Sequence, residues 1–380
     1  MDKVWSEDKP LLSLDAGDVC GQRTQNERVQ TKFLCQELGN LGLDAIGLGE
    51  QDLNYGVDFL REMMTANKLP FISANVKDAK TGALVLPAYV VIERGGVKYG
   101  ITSVLDPQQP VQTLTGGDSP VKVDDPLATL RELLPKLRRE ADSVILLSHL
   151  GETGTEALLK ELQGVDMCVI GHSFRNLETE RVINDTAVFG SSYEGRFIGR
   201  ADLFVEEKTG RVMAIDVGIA DFDESAPADA EVQARVDKFK TDLETLKEAK
   251  RAAYPRVNGS EKEQFVGDRT CFNCHEAAWQ SYASSAHRRA YASLRGDGQS
   301  SEPDCLVCHT TGYQWKNGYS DERPNNSLVN VQCEACHGYG TTHARDGKWR
   351  LEARASCVTC HDKANSPNFD YATYWEKIKH

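Results

Sequence analysis

Cys271-Phe-Asn-Cys-His275, Cys305-Leu-Val-Cys-His309, Cys333-Glu-Ala-Cys-His337 and Cys357-Val-Thr-Cys-His361 decide how the last third of this 380-residue chain folds. Eight of the chain's eleven cysteines sit in these four C-x-x-C pairs. Two such pairs can make a Cys₄ zinc ribbon, but a ribbon does not require a histidine after every second cysteine. With nine histidines in the whole chain, four such neighbours do not arise by chance. C-x-x-C-H is the attachment signature of c-type haem. Its two thiols reach the two vinyl groups, and the following imidazole lies under the iron. The sequence therefore predicts four covalent haems, on Cys271/Cys274, Cys305/Cys308, Cys333/Cys336 and Cys357/Cys360. His275, His309, His337 and His361 are the expected proximal ligands.

Three histidines remain after residue 262, His287, His343 and His380, and these are the expected distal ligands. All five methionines lie elsewhere in the chain. Three side chains cannot fill four distal positions. One iron is left five-coordinate, or takes Tyr, Lys, water, or a group from another domain or chain. An open iron is where small molecules bind. Residues 263–380 are too few to enclose four macrocycles in an ordinary apolar core, so the haems themselves are expected to form most of it. Trp279, Tyr282, Tyr291, Tyr313, Trp315, Tyr339, Trp349, Tyr371, Tyr374 and Trp375 are read as packing against porphyrin, with no tunnelling role.

Cys271–His275 with Trp279, Ser284 and His287 resembles the opening motif of the cytochrome c-554 family of tetraheme electron carriers. Cys305-Leu-Val-Cys-His-Thr-Thr-Gly312, Cys333–Gly338 with His343, and Cys357–His361 running through Phe369-Asp370 to His380 are similar to its later motifs. The resemblance implies a five-coordinate second haem, at His309, and bis-histidine ligation elsewhere. It assigns His343 to the first haem, His287 to the third and His380 to the fourth.

Residues 1–222 read as α/β. Short apolar strands at Leu11–Leu14, Ala45–Leu48, Val144–Ser148 and Met167–Ile170 alternate with amphipathic stretches such as Pro126–Arg139. A β-rich run follows at Ala187–Phe189, Phe197–Phe204 and Arg211–Val217. Polar residues cluster after several strands, where open α/β sheets bind ligands. Their order resembles the metallophosphoesterase domain of 5′-nucleotidases. Gly17-Asp18 matches the motif of the metal-bridging Asp, and Gly49-Glu-Gln-Asp-Leu-Asn-Tyr-Gly56 the Gly-Asn-His-Glu segment. Ser148-His149 and Gly171-His172-Ser-Phe174 match the two histidine motifs. Glu50 replaces the ligand Asn, Gln51 the catalytic His and Phe174 the last ligand His. The first motif, Asp-x-His, is missing, and the chain begins just before the second strand of the pattern. A dinuclear centre needs both ions to activate water and hold phosphate, so phosphoesterase activity is expected to be lost. One divalent ion on Asp18, Glu50, His149 and His172 is a candidate remnant site.

The expected architecture is thus an α/β metallophosphoesterase-like sandwich over 1–222, a helical linker over 223–262, and a mostly helical, irregular multihaem cytochrome c domain over 263–380. In the linker, Val232, Val236, Phe239, Leu243 and Leu246 form a seam that packs on a neighbouring domain or dimerises. A homo-oligomer through this helix or the haem domain is the expectation if it dimerises. Cys20, Cys35 and Cys168 stand outside the haem motifs, with no neighbouring histidine to activate them.

The formal charge of −13 argues against nucleic acid as a partner. No apolar run has the length of a membrane span. Export is expected, to the periplasm or beyond, because multiple c-type haem attachment occurs outside the cytoplasmic membrane; an export signal is absent from Met1 onward. The expected function is electron transfer with redox proteins or other cytochromes, the N-terminal domain serving docking or assembly. The alternatives are a redox enzyme acting on a small nitrogen or sulfur compound at the five-coordinate haem, and a metal-dependent phosphoesterase.

Overall fold

The computed structural model describes residues 9–21, 25–109, 111, 121–173, 177–190, 197–221, 227–296, 299–321, 327–347, 356–362, 366 and 368–380. The chain divides into two compact units, Met1–Arg235 and Val236–His380.

In the first unit, β1 (Leu14–Asp15), β2 (Ala45–Gly47) and β3 (Phe71–Ile72) form a parallel three-stranded sheet. Then follow β4 (Val76–Asp78), β5 (Tyr89–Arg94), β6 (Val97–Leu105), β7 (Val121–Val123), β8 (Ser143–His149) and β9 (Met167–Ile170). The last strands are β10 (Leu177–Ile183), β11 (Thr186–Gly190), β12 (Phe197–Val205) and β13 (Val212–Asp221). A six-stranded sheet has the order β10-β11-β9-β8-β6-β5. Its central strands β6, β8, β9 and β11 are parallel, and a hairpin strand closes each edge. Each hairpin turns on two residues with positive φ, Gly95-Gly96 and Asn184-Asp185, as the twist of tight hairpins requires.

Every residue of β8 is buried, the pattern of a strand covered on both faces. Ile145 and Leu147 join Ala45, Ile72, Ile101, Met167 and Phe189 in the core between the two sheets. Val144 and Leu146 face outward onto α3 (Pro126–Glu140) and α4 (Gly151–Glu161), through Leu130, Leu134, Leu137, Leu158 and Leu159. α3 starts where Asp125 accepts a hydrogen bond from the Ala128 amide and Pro126 opens the first turn. Its leucines at four- and three-residue steps then form one apolar face. On the far side, Cys35 of α1 (Gln25–Leu41) and Phe59, Leu60 and Met63 of α2 (Val57–Asn67) cover Ile46, Leu48 and Phe71. The first unit is a helix-sheet-sheet-helix sandwich, as its alternating apolar segments predict.

α5 (Ala230–Ala253) contributes its first residues to the first unit, where the Arg235 guanidinium forks onto both Glu37 oxygens at 2.9 Å. Of its seam, Leu243 is buried, while Val232 and Leu246 remain exposed. Its last turn belongs to the second unit, where Lys250 pairs with Glu302 at 3.0 Å and Arg251 with Asp321 at 3.0 Å.

The second unit is built of short helices: α6 (Asp268–Phe272), α7 (Glu276–Ser284), α8 (Ala290–Gly296), α9 (Pro303–His309), α10 (Cys333–His337), α11 (Thr341–Asp346) and α12 (Tyr371–Trp375). Among its described residues one apolar cluster is buried, Leu294, Leu306, Tyr313, Tyr319 and Leu328. Polar side chains hold the rest. Glu334, inside the third C-x-x-C-H motif, is buried and accepts the amides of Val266, Gly267 and Gly340 at 2.9, 2.7 and 2.6 Å. Gln332 accepts the Asp268 amide at 2.9 Å and donates to the carbonyls of Ser327 and Val329. These bonds tie the third motif to the start of the first. Among the described residues no helix is long and apolar enough to cross a membrane.

Candidate functional site

Each C-x-x-C-H motif makes a helical turn, which places its first cysteine and its histidine one turn apart. The His275 amide donates to the Cys271 carbonyl at 2.9 Å, and the His361 amide to that of Cys357 at 2.9 Å. α9 ends on Cys305, Cys308 and His309, and α10 spans Cys333 to His337. The thiols meet across motifs: Cys271 lies against Cys333, and Cys308 against Cys360, each shifting the other's acidity. Motif one is therefore beside motif three, and motif two beside motif four.

The six remaining histidines of this unit, leaving His309 aside, face each other in three pairs. Ring centroids are 5.8 Å apart for His275 and His343, 6.1 Å for His287 and His361, and 5.8 Å for His337 and His380. Two imidazoles on opposite sides of one iron, each bonded at about 2 Å, have centroids about 6 Å apart. Burial lowers His287, His337 and His361 below the ordinary histidine range, and the neighbouring imidazoles lower the first two further. That favours the neutral form in which imidazole ligates a metal. The Nδ1 of His343 is buried without a hydrogen-bond partner.

Two of these pairs differ from those the resemblance implies. His287 faces His361 of the fourth motif, not the third, and His380 faces His337 of the third, not the fourth. Order along the chain does not encode which ring crosses to which motif, because long-range contacts set the packing of the motifs. His309 faces none of the other histidine rings. Its Nδ1 donates to the Ala290 carbonyl at 2.7 Å, which leaves the lone pair on Nε2.

The four polar loops of the first unit also converge. Asp18 follows β1, Glu50 follows β2, His149 ends β8 and His172 follows β9. One ligating atom from each lies within 4.8 Å of all the others. The loops touch closely: a Cβ on Gly49 would fall on the Asp18 carboxylate, and one on Gly17 would lie 2.6 Å from the Gly49 nitrogen. Asp18 and His172 both hold positive φ, 64° and 53°.

His149 is 1% exposed, and its Nδ1 donates to the Ala16 carbonyl at 2.7 Å. Its Nε2 stands 3.3 Å from Asp18 Oδ2 and 3.2 Å from Glu50 Oε2. His172 Nδ1 lies 3.4 Å from Glu50 Oε1 and 4.0 Å from Asp18 Oδ2. Burial disfavours charge on His149, but the Asp18 and Glu50 carboxylates outweigh it and raise this imidazole to about 10. Burial also works against ionised Asp18, yet His149 and the Gln51 hydrogen bonds hold it below the usual carboxylate range. Gln51, standing where the resemblance places a catalytic histidine, donates its backbone N–H to Asp18 Oδ1 and its side-chain amide to Oδ2, both at 2.9 Å.

Sequence reasoning missed three supporting groups. Asp52 is buried and accepts the amides of Asp18, Cys20 and Gly49; burial and the Asp18 charge push it up to about 7. Half-buried Asp15 accepts the Gly17 amide. Gln109 lies 3.4 Å from His172 Nε2. Asp15 and Asp52 had a sequence signal in the polar residues that end or follow β1 and β2, and Gln109 had none. Phe174 falls outside the described residues. The three other cysteines are buried and their thiols are pushed up by burial, Cys35 to about 12, which leaves them unreactive.

Residues 270–338 match the family model described as Cytochrome c554 and c-prime. The second unit carries a cytochrome c554-type segment. It is 33% identical over 97 residues to cytochrome c-554 of Nitrosomonas europaea, an alignment covering 22% of this chain and 41% of that protein. The N-terminal part is similar to the trifunctional nucleotide phosphoesterase protein YfkN of Bacillus subtilis, 23% identical over 291 residues, 66% of this chain and 20% of that one. Its fold is that of metallophosphoesterases. The crystal structure of a 5′-nucleotidase precursor from Thermus thermophilus superposes with a TM-score of 0.54 at 22% identity, covering 71% of this chain and 55% of that chain. The chain spans from a fifth to two fifths of the length of these curated relatives.

Proposed function

We propose that the protein is a multihaem electron carrier, with four c-type haems attached at Cys271/Cys274, Cys305/Cys308, Cys333/Cys336 and Cys357/Cys360. The observation that carries this reading is the set of three histidine pairs at 5.8–6.1 Å, each joining a C-x-x-C-H histidine to one from elsewhere in the unit. In this reading His275/His343, His361/His287 and His337/His380 hold three irons from both sides. Bound haem supplies one-electron redox chemistry. The protein's part is to fix the imidazoles, keep them neutral, and set the motifs side by side so that electrons cross short gaps. The small apolar cluster of the unit agrees with haem forming much of its core. Haem attachment at several motifs places the mature protein outside the cytoplasmic membrane, with other redox proteins as partners. A pyridine haemochrome assay tests the reading: four haems per chain are expected, and fewer overturn it.

His309 favours a second reading for one haem. Its Nε2 is directed away from Ala290, and no other histidine ring faces it. That haem is five-coordinate and takes a small exogenous ligand in this reading. Titration with carbon monoxide or nitric oxide is expected to saturate at one per chain; none, or several, would sink it.

The first unit keeps the phosphoesterase fold without hydrolysis. Gln51 has no titratable proton, and its amide occupies the Asp18 carboxylate. The unit then serves docking or assembly, and phosphatase turnover with added manganese would contradict this.

A further inference from the structure

We propose that Lys250 and Glu302 form a charge pair that sets the reduction potential of the haem on Cys305 and Cys308, with the last turn of α5 holding the cation in place. The proposal rests on the reading of Cys305 and Cys308 as haem-bearing.

Basic residues in the last turn of a helix ordinarily face solvent and complement its dipole. Lys250 does more, because its Nζ stands 3.0 Å from Oε2 of Glu302, a residue only 4% exposed. A carboxylate kept that far from water needs a compensating charge. Glu302 also opens the helix of the second motif: its carbonyl accepts the amides of Cys305 at 3.0 Å and Leu306 at 2.9 Å. Its charge is therefore fixed within one helical turn of the first haem-bearing sulfur. That sulfur feels both members of the pair. Burial first, then Glu302 and Asp304, push the Cys305 thiol up to about 11, and Lys250 works against them. Once attached, the same sulfur is a substituent of the macrocycle, so a field felt there acts on the haem.

Two neighbours hold the cation in register. Arg251 pairs with the buried side chain of Asp321 at 3.0 Å. Tyr254 donates its hydroxyl to Asp304, the residue before Cys305, and its ring meets buried Tyr313 edge-on at 6.5 Å between centroids. Lys247, on the same helix, pairs instead with Glu244, which is exposed. Lys250, Arg251 and Tyr254 all precede residue 270, where the match to the cytochrome c554 model begins, so the cationic half of the pair is an addition to that segment. An uncompensated anion beside an iron favours the oxidised, more positive form, and an uncompensated cation favours the reduced one. At an effective dielectric constant of about 20, one unit charge roughly 10 Å away changes that balance on the order of tenfold.

The test is a spectroelectrochemical titration of the full haem-loaded chain, with haems counted by pyridine haemochrome in every variant. Lys250→Met should lower one of the four redox steps, so that at the native midpoint the reduced-to-oxidised ratio of that haem falls about tenfold. Glu302→Gln should raise the same step by a similar factor. The double variant should return to within about threefold of the native ratio, and Lys250→Arg and Lys247→Met should leave all four steps in place. A merely structural pair would move the step in the same direction in both single variants, and that result overturns the proposal. So does an unmoved step with four haems bound. Should Lys250→Met lose a haem, Glu302→Gln decides alone, by whether its step rises. Fewer than four haems in the native chain would instead remove the haem reading, and the proposal with it.

Discussion

The imidazoles of His275 and His343 stand with ring centroids 5.8 Å apart, one following the first C-x-x-C pair and the other in α11 beyond the third motif. The chain thus brings a second imidazole to the first motif by way of the third. The same bonds that seat α10, from Glu334 and Gln332 to residues 266–268, set this approach.

Replacing His343 by alanine is expected to leave four haems per chain, because the Cys271 and Cys274 thioethers still hold the first. One low-spin haem should become high-spin, so the high-spin EPR intensity of the oxidised protein rises about twofold. An unchanged spectrum would remove His343 from the ligand set.

Glu334 carries three backbone hydrogen bonds in a buried position. Glu334→Ala should destabilise the second unit by about 3 kcal/mol, read from urea unfolding followed at the Soret band. Burial raises this carboxyl, and the three amides only partly offset it. A raised folded-state value means that the folded form binds the proton more tightly. The resulting stability is full below the ordinary value of 4.5 and is lost as pH rises through the folded one. Glu334→Gln should flatten the fall in stability expected as pH rises above 4.5.

Lys250 meets Glu302, a carboxylate only 4% exposed at the start of the helix that carries Cys305, Cys308 and His309. Lys250→Ala should cost about 2–3 kcal/mol in calorimetric unfolding, because the buried carboxylate loses its cation. Arg131→Ala breaks a pair exposed on both sides, with Glu161, and should cost less than about 0.5 kcal/mol. Equal costs for the two would show that burial does not govern these pairs.

Gln51→His restores the residue type that the metallophosphoesterase resemblance expects. It is nevertheless expected to give no measurable hydrolysis of p-nitrophenyl phosphate with Mn²⁺ present. Asp15 and Asp52 stay committed to backbone amides, so the ligands for a second ion are still lacking. Turnover above the native background would mean that Gln51 alone silences the site.

The sandwich was legible because apolar runs such as Val144–Leu147 bury on both faces, and their spacing against α3 marks alternating strands and helices. The β5–β6 hairpin was not read, although Gly95-Gly96 marks its turn. The four converging residues Asp18, Glu50, His149 and His172 were legible because each follows or ends a strand. Their supports Ala16 and Gln109 were not, since a backbone carbonyl or a loop amide leaves no motif.

By itself the sequence displayed the motifs of the second unit. Four C-x-x-C-H turns and three further histidines depend only on local spacing and on counting, so they could be read without coordinates. Which histidine ring faces which motif is set by the tertiary structure alone. That choice rests on packing among residues far apart in the chain: Cys271 against Cys333, Cys308 against Cys360, and His380 at the end of the chain against His337. The same holds in the first unit. Asp18, Glu50, His149 and His172 are separate letters until parallel strands bring their ends to one place, where Gln51 hydrogen-bonds both Asp18 oxygens.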